Sequence, residues 1–341
     1  MTANYQPSMQ KRAATLLVAV ALSVLSILAL PVQAQQRNPL QRIGQTVADH
    51  ESAHYRFERF TVSSADGTRT WRVNLGIPKR PAPEGGWPSF WMLDGNGALI
   101  EFDDALLEEL AQQPRPHALV FIGYDNDLRI DSAARTRDYT FVSDVRGNVD
   151  GGEARVGGGA DAFLDVIERQ IRPEVQRRLT LDPGQQTLWG HSLAGLFVLH
   201  ALYTRTGMFQ TYAAGSPSLW WGDGAMLQGP EERFVANNAG RKVRGLVSLG
   251  GGERARDVSN RDLSSARVNE HLRRINAAPS DAAATLVERL AQVPGVDASY
   301  REFEGLTHGP MFRASLMDAL HKVTGVADHS GTPRPPADSG E

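Results

Sequence analysis

The sequence contains no cysteine and has no strong excess of charge of either sign. Without cysteine the chain has no disulfide framework and no cysteine that could carry a lipid anchor. Its 36 lysine and arginine residues stand against 39 aspartate and glutamate residues, and the net charge of −3 gives no electrostatic reason to expect a nucleic-acid partner. What is present is a chain of 341 residues, 41% of them hydrophobic, which is enough to bury the core of one large domain.

The N-terminal residues differ in composition from the rest of the chain. Lys11 and Arg12 precede an apolar run at residues 13–30, and small residues follow it up to Ala34. This order is typical of a secretory signal peptide, so residues 1–34 are expected to be removed, leaving a periplasmic protein without a stable membrane anchor. A retained transmembrane anchor is the alternative, since a run of about 20 apolar residues spans a bilayer.

Residues 37–326 are predicted to form one α/β domain, and residues 328–341, rich in proline, serine, glycine and aspartate, a disordered tail. Residues 54–62 and 70–77 alternate polar and apolar residues around a turn, which predicts a β-hairpin. Further strands are predicted at residues 89–93, 117–122, 187–189, 212–214, 243–249 and 298–303. Helices are predicted at residues 98–112, 160–178, 193–203, 262–275, 282–292 and 312–323, with a long polar loop at 124–159. This alternation predicts a mostly parallel sheet with an N-terminal antiparallel hairpin, helices on both faces, and functional sites beyond the carboxyl ends of the strands.

One serine lies where a predicted strand turns directly into a predicted helix, in the run Gly-His-Ser-Leu-Ala at residues 190–194. A nucleophile elbow needs small residues on both sides of the serine because the strand and the helix approach closely, and alanine takes the second small position here. The context predicts Ser192 as the nucleophile of a serine esterase with an α/β-hydrolase fold. The alternative is a serine that caps the helix. The ring of His191 is expected to point away from the serine.

Two backbone amides are candidates for an oxyanion hole. The Leu193 N–H lies at the start of the helix that follows the serine, where it can donate to a tetrahedral oxyanion. The second donor in this fold comes from the loop after the third strand, which here is Asp-Gly-Asn-Gly at residues 94–97. Its glycines permit close backbone approach, and this makes the Asn96 amide the candidate. A plain Asp-Gly turn is the alternative.

The base and the acid are expected later in the chain. His308 follows the last predicted strand and precedes the last predicted helix, where this fold places the histidine that activates the serine. Glu253 is the first acid after the preceding strand and is the candidate third member of a triad. An acid in this region can equally be a solvated loop charge. Three other acids remain alternatives, namely Asp257, Glu302 and Glu304.

Seven stretches of the chain carry a resemblance to a known group of enzymes. They are Trp-Met-Leu-Asp-Gly-Asn-Gly at 91–97, Gly-Tyr-Asp-Asn-Asp-Leu at 123–128, Arg-Thr-Arg-Asp-Tyr-Thr at 135–140, Gly-Gly-Gly-Ala-Asp-Ala-Phe-Leu at 157–164, Gly-His-Ser-Leu-Ala-Gly-Leu-Phe at 190–197, Ser-Pro-Ser-Leu-Trp-Trp at 216–221 and Glu-Gly-Leu-Thr-His-Gly at 304–309. Over roughly residues 40–325 the chain resembles the siderophore esterases of the enterobactin and salmochelin trilactone type, in the esterase-D-like superfamily. Ala194 departs from the Gly-Gly pair that usually follows the serine in that group.

The resemblance implies hydrolysis of ester bonds in a catecholate macrolactone, apo or iron-loaded, in the periplasm. The partner is then a small-molecule ester, and the reaction needs no metal or organic cofactor. Aromatic side chains in the expected site loops can stack on its rings, namely Tyr139, Trp220 and Trp221. Arg135 and Arg137 can attract an anionic iron–catecholate complex, or they can be solvated surface residues. Three other functions remain open: an acyltransferase that uses an acceptor such as a sugar, a general carboxylesterase, and an inactive ligand-binding homologue.

Overall fold

An eight-stranded sheet forms the centre of the computed structural model, which describes residues 41–141, 157–238, 240–256, 258 and 262–332. The strands are β1 (Tyr55–Ser63), β2 (Thr70–Pro78), β3 (Trp87–Met92), β4 (Ala118–Tyr124), β5 (Leu181–His191), β6 (Thr211–Gly215), β7 (Val243–Gly250) and β8 (Val296–Phe303). Their order across the sheet is β1-β2-β4-β3-β5-β6-β7-β8. The β1–β2 and β2–β4 pairs are antiparallel, and the other five pairs are parallel. The predicted parallel sheet with an N-terminal antiparallel hairpin is confirmed.

The helices fill the connections between the parallel strands. They are α1 (Gly95–Leu99), α2 (Asp104–Gln112), α3 (Ser132–Tyr139), α4 (Ala160–Val166), α5 (Arg172–Gln176), α6 (Leu193–Thr204), α7 (Trp221–Gly224), α8 (Gly229–Asn237), α9 (Gly251–Arg254), α10 (Ala266–Ile275), α11 (Ala282–Ala291) and α12 (Met311–Thr324). A π-helical turn at Ile167–Ile171 joins α4 to α5, and a 3-10 turn at Ala225–Leu227 follows α7. Helix α1 follows the end of β3 and helix α6 follows the end of β5. This places the N-termini of both helices at the carboxyl edge of the sheet.

The sheet divides the core into two layers, because successive side chains of a strand point to opposite faces. Phe90 and Met92 of β3 face the layer that contains α2 and α12, whereas Trp91 faces the layer that contains α4, α6 and α11. Both faces of the central strands are therefore buried, which is why these strands read as unbroken apolar runs. The residues of α6 from Leu193 to Tyr203 are all buried, so this helix is fixed between the sheet and its neighbours α3, α4 and α8.

The structure differs from the predicted elements most clearly at residues 98–112 and 124–159. The predicted helix at 98–112 is two helices, α1 and α2, because the Asp103 carboxylate accepts a hydrogen bond from the Leu106 N–H and starts α2 anew. The apolar spacing continues through this break, so periodicity alone did not reveal it. The predicted loop at 124–159 contains α3, whose polar sequence gave no helical apolar stripe. Residues 142–156 of that loop lie outside the described residues.

Both ends of the chain lie outside the described residues, so the signal peptide at 1–34 and disorder at 333–341 stay predictions. The first residues of the predicted tail are described, and they contact the domain. Asp328 lies 2.9 Å from Arg301, and His329 lies 3.0 Å from Glu109. These partners are far away in the sequence, and composition does not indicate such contacts. Across the part of the chain that the structure describes, no helix combines the length and the apolar character needed to cross a membrane.

Candidate active site

Ser192 lies at the sharp turn between β5 and α6, with φ 65° and ψ −119°. Residues other than glycine rarely adopt this conformation, so the turn is strained and must be held by its surroundings. The Ser192 N–H donates to Gly215 O at 2.9 Å, and Ser192 O accepts from the N–H groups of Leu196 and Ser218 at 2.9 and 3.1 Å. Within the described residues the hydroxyl makes no capping hydrogen bond to α6, so the helix-capping alternative is wrong.

Close packing around the turn explains its small residues. A Cβ atom at Gly190 would lie 2.5 Å from Ala194 O, and a Cβ atom at Gly195 would lie 2.8 Å from Gly215 O. Glycine is therefore needed at both positions. A Cβ atom at Gly190 would also lie only 2.8 Å from the methyl group of Ala194. Alanine at position 194 is thus compatible with the turn as long as residue 190 is glycine.

The Ser192 hydroxyl is connected to two further side chains, which together we call the triad. His308 Nε2 lies 2.9 Å from Ser192 Oγ, and His308 Nδ1 lies 2.5 Å from Glu253 Oε2. His308 belongs to the turn between β8 and α12, and Glu253 belongs to the four-residue helix α9 that follows β7. The structure thus brings the three predicted residues together at the carboxyl edge of the sheet.

Both carboxylate oxygens of Glu253 are occupied. While Oε2 faces His308, Oε1 accepts a hydrogen bond from the Ser216 hydroxyl at 2.6 Å and one from the Gly250 N–H at 3.3 Å. Burial by itself would raise the pKa of Glu253, but the positive charge of His308 and these hydrogen bonds outweigh it and lower the pKa below the ordinary value. Glu253 is therefore held in its charged form beside the histidine.

Of the other candidate acids, the two that the structure describes are not placed to replace it. Glu302 Oε2 lies 2.9 Å from Arg254 Nε, and Glu304 is exposed to solvent. Asp257 lies outside the described residues. The acid that the structure pairs with the histidine is therefore Glu253, and the solvated-charge interpretation of this residue is wrong.

The two candidate oxyanion donors lie in the first turns of neighbouring helices. Leu193 is the first residue of α6 and Asn96 the second of α1, and the first N–H groups of a helix have no acceptor within the helix. The ends of β3 and β5 are joined by a hydrogen bond from the Leu93 N–H to Trp189 O at 3.0 Å. Because these strands are neighbours, α1 and α6 begin side by side. The segment at 94–97 is thus the start of a helix rather than a plain turn.

The Asn96 side chain has a structural role that the sequence did not indicate. Its Nδ2 group donates to the carbonyl oxygens of Tyr124, Asn126 and Leu128 at 3.1, 2.9 and 3.1 Å. These three carbonyls belong to the end of β4 and the loop that follows it. The side chain therefore fastens that loop to the start of α1 and fixes the position of the Asn96 backbone amide.

Arg135 and Tyr139, both predicted to contact substrate, are bonded to Asp94 at the start of α1. Arg135 Nη2 lies 2.8 Å from Asp94 Oδ2 and donates to His191 O at 3.0 Å, while the Tyr139 hydroxyl accepts from the Asp94 N–H at 2.9 Å. Burial would lower the pKa of Arg135, but the charge of Asp94 outweighs it and raises the pKa. Both residues belong to α3, and their buried side chains hold the turn that begins α1. That these two residues contact substrate stays a prediction, as does the role of Arg137 on the same helix, whose side chain is partly exposed beside Asp138.

Trp220 and Trp221 follow a turn that contacts the nucleophile. Ser218 Oγ lies 3.3 Å from Ser192 Oγ, and the Trp221 N–H donates to Ser218 O at 3.0 Å. The two indole centroids are 5.9 Å apart, and the guanidinium of Arg274 in α10 lies 5.2 Å from the first and 5.7 Å from the second. Trp221 is buried and Trp220 is partly exposed. An aromatic surface therefore begins two residues after a side chain that contacts Ser192.

The ring of His191 packs against the histidine of the triad. Its centroid lies 4.6 Å from that of His308 and 5.5 Å from that of Phe312. His191 is buried, so one face of the His308 ring rests on protein and the ring has less freedom to turn. The sequence gave no signal for this contact, because it joins β5 to a turn more than a hundred residues away.

The fold and this arrangement of side chains are those of an α/β-hydrolase, in which a strained serine turn meets a histidine that follows the last strand. The chain belongs to the Esterase family, whose model matches residues 64–323. The matched region contains β2 to β8 and all three residues of the triad. The protein is accordingly a serine hydrolase that acts on carboxylic ester bonds.

Individual relatives agree with this assignment. The chain is 33% identical over 305 residues to the apo-salmochelin esterase of Escherichia coli O6:H1 (strain CFT073), covering 88% of this chain and 90% of that protein. It is 32% identical over 256 residues to the ferri-bacillibactin esterase BesA of Bacillus subtilis (strain 168), covering 72% of this chain and 82% of that protein. A solved structure described as the enterobactin and salmochelin hydrolase IroE is similar with a TM-score of 0.62 at 30% identity, over 82% of this chain and 99% of that one.

Proposed function

We propose that the protein hydrolyses the ester bonds of a catecholate siderophore trilactone, apo or iron-loaded, in the periplasm. The observation that carries the reaction is the triad, with 2.9 Å between Ser192 Oγ and His308 Nε2 and 2.5 Å between His308 Nδ1 and Glu253 Oε2. The substrate class is supported by two relatives that are named as esterases of salmochelin and of bacillibactin and that each match most of their length.

The first half of the reaction acylates the serine. His308 Nε2 takes the hydroxyl proton of Ser192 as Oγ attacks the ester carbonyl carbon. The tetrahedral oxyanion accepts hydrogen bonds from the Leu193 and Asn96 amides at the helix starts. Collapse of this intermediate breaks the bond to the alkoxy oxygen, which leaves with the proton from His308. The enzyme then holds the acyl group as an ester of Ser192.

The second half repeats these steps with water. His308 removes a proton from the attacking water, the same amides hold the second oxyanion, and the proton returns to Ser192 Oγ as the carboxylic acid departs. In both halves the histidine passes through its charged form. Glu253 stabilises that form because its carboxylate is kept ionised and directed at Nδ1.

The aromatic surface beside the nucleophile suits the proposed substrate. Trp220 is partly exposed and lies two residues after Ser218, whose hydroxyl is 3.3 Å from that of Ser192. Catechol rings stack on indole rings, and a ferric catecholate complex is anionic, so nearby cationic groups favour it. Trp220, Trp221 and Arg137 are the residues that we assign to substrate binding.

The site of action follows from the N-terminal pattern rather than from the catalytic domain. We assign residues 1–34 as a signal peptide that is removed after Ala34. Mass spectrometry of the protein recovered from the periplasm of an expressing cell tests this assignment, with a mature chain that begins at Gln35 as the expected result. A chain that retains residues 1–34 in the membrane fraction contradicts it.

The catalytic proposal is tested with the purified mature protein and a panel of acyl esters that includes a catecholate trilactone, with the products identified by mass. Wild type is expected to release the linear trimer, dimer and monomer and to be labelled by a fluorophosphonate at Ser192. Ser192→Ala is expected to lose turnover by at least about 10³-fold while still binding the trilactone.

Three results would contradict the proposal. If Ser192→Ala turns over substrate at the wild-type rate, Ser192 is not the nucleophile. If the protein hydrolyses simple esters but does not cleave the trilactone, the proposed substrate class is wrong. Transfer of the acyl group to an added sugar, in preference to water, identifies the protein as an acyltransferase.

A further inference from the structure

The turn Ser216-Pro217-Ser218 follows β6 and contacts both ends of the triad. Ser216 is buried and has a φ of 42°, a conformation that side-chain-bearing residues rarely adopt and that is strained before proline. Its N–H donates to Ser248 O at 2.7 Å, which anchors the turn to β7. At the other end of the turn Ser218 contacts the nucleophile: its N–H donates to Ser192 O, and its hydroxyl lies beside Ser192 Oγ.

The strained backbone of Ser216 directs its hydroxyl at the acid of the triad. Ser216 Oγ lies 2.6 Å from Glu253 Oε1, on the side of the carboxylate opposite to the oxygen that faces His308. Glutamate has three side-chain torsions, so a carboxylate held only by the histidine loses more freedom than an aspartate would. The helix that carries Glu253 has only four residues, and none of them is fully buried.

We propose that Ser216 is a positioning residue for Glu253: its hydroxyl holds Oε1 so that Oε2 is directed at His308 Nδ1. This inference rests on the proposed catalytic role of the triad. It explains why a serine stands at a left-handed position where glycine would be less strained, since glycine has no hydroxyl to offer. The role is distinct from catalysis, because the Ser216 hydroxyl bonds to Glu253 and acts on His308 through that carboxylate.

The test compares Ser216→Ala and Ser216→Gly with wild type on p-nitrophenyl acetate, a small ester whose hydrolysis does not depend on the identity of the siderophore. Both variants lack the hydroxyl, but glycine relieves the left-handed backbone and alanine does not. We expect kcat to fall by roughly ten- to a hundredfold in both, with KM changed less than about threefold, as for the loss of a hydrogen bond to a charged group. Thermal unfolding is expected to differ between them, with the glycine variant the more stable.

A double-mutant cycle separates positioning of Glu253 from a general structural effect. In a Glu253→Ala background, Ser216→Ala is expected to cause no further loss of kcat, because the group through which it acts is gone. The matched control is Ser64→Ala in the β1–β2 hairpin, which also removes a serine hydroxyl bonded to a carboxylate, that of Asp66 at 2.5 Å. This control is expected to keep wild-type kcat.

The inference is wrong if the losses caused by Ser216→Ala and Glu253→Ala multiply, or if Ser216→Ala or Ser216→Gly keeps wild-type kcat. It is also wrong if activity follows the melting temperature, so that the glycine variant recovers turnover. The proposed function fails differently: wild type then shows no turnover that Ser192→Ala abolishes. That comparison is made first, on the same ester.

Discussion

The two halves of the active site are held in place by different means. The nucleophile half consists of Ser192 and the starts of α1 and α6, and every residue of α1 and of α6 up to Tyr203 is buried. The acid half consists of Glu253 and His308, whose side chains are 16% and 25% exposed. It is built on the four-residue helix α9 and a turn after β8.

This difference separates what packing fixes from what hydrogen bonds fix. In the nucleophile half, the backbone itself supplies the strained turn and the proposed oxyanion donors, and a densely packed interior allows them little movement. In the acid half, functional atoms are at the ends of longer side chains and are directed by Ser216, the Gly250 N–H and each other. Loss of a buried contact that supports the first half should therefore appear mainly as lost stability, whereas loss of a hydrogen-bonding side chain in the second half should appear mainly as lost turnover.

The largest expected effect is on turnover, in the acid half. Glu253→Ala leaves the imidazolium of His308 without its carboxylate, and kcat should fall by about 10³- to 10⁴-fold, as when the acid of a serine-protease triad is removed. The free energy of unfolding should fall by only about 1 kcal/mol, the value of an ordinary hydrogen bond. Steady-state kinetics and urea unfolding measure the two quantities. If the variant loses little activity, or loses several kcal/mol of stability, the two halves are not held in place by different means.

The next effect is on stability, in the nucleophile half. Arg135→Ala leaves the Asp94 carboxylate buried without its charge partner, and breaking such a pair costs about 3–5 kcal/mol. Turnover should fall as well, because the pair holds the start of α1 and the carbonyl of His191. The control is Arg56→Ala, whose pair with Glu58 is exposed and should contribute less than about 1 kcal/mol. Equal stability of the two variants in urea unfolding would show that the buried pair does not hold this half together.

The sequence predicted the serine turn of the nucleophile half because the pattern that indicates it is local. Ser192 and Leu193 stand within a few residues of a strand end and a helix start, so spacing and small residues were sufficient to place them. The structure also brings Glu253 and His308 to the expected ends of β7 and β8. This succeeded because the carboxyl ends of parallel strands share one edge, whatever the distance along the chain.

The contacts that the sequence did not indicate join residues that are distant along the chain. Arg135 and Tyr139 bind Asp94, which precedes them by 41 and 45 residues, and a buried ion pair looks in a sequence like two surface charges. The Asn96 side chain reaches carbonyls 28 to 32 residues away. Ser216 gave no signal as a partner of Glu253, because its role depends on a backbone conformation that a serine rarely adopts. Each of these contacts is tertiary, and neither the periodicity nor the spacing of residues in the sequence indicates it.

The smallest expected effect is a pH dependence of stability that belongs to the acid half. Burial raises the pKa of Glu253, but the charge of His308 and the hydrogen bonds more than offset it, so the folded pKa lies below the ordinary value. A carboxyl of this kind stabilises the fold above its unfolded pKa, about 4.3, and loses that contribution as the pH falls through the folded pKa. The difference in unfolding free energy between wild type and Glu253→Ala should therefore be largest above about pH 5 and shrink toward pH 3. Urea unfolding of both proteins across this range measures it. A difference that stays constant, or grows on acidification, would mean that the carboxylate is not held by charge and hydrogen bonds, and that packing fixes the acid half as well.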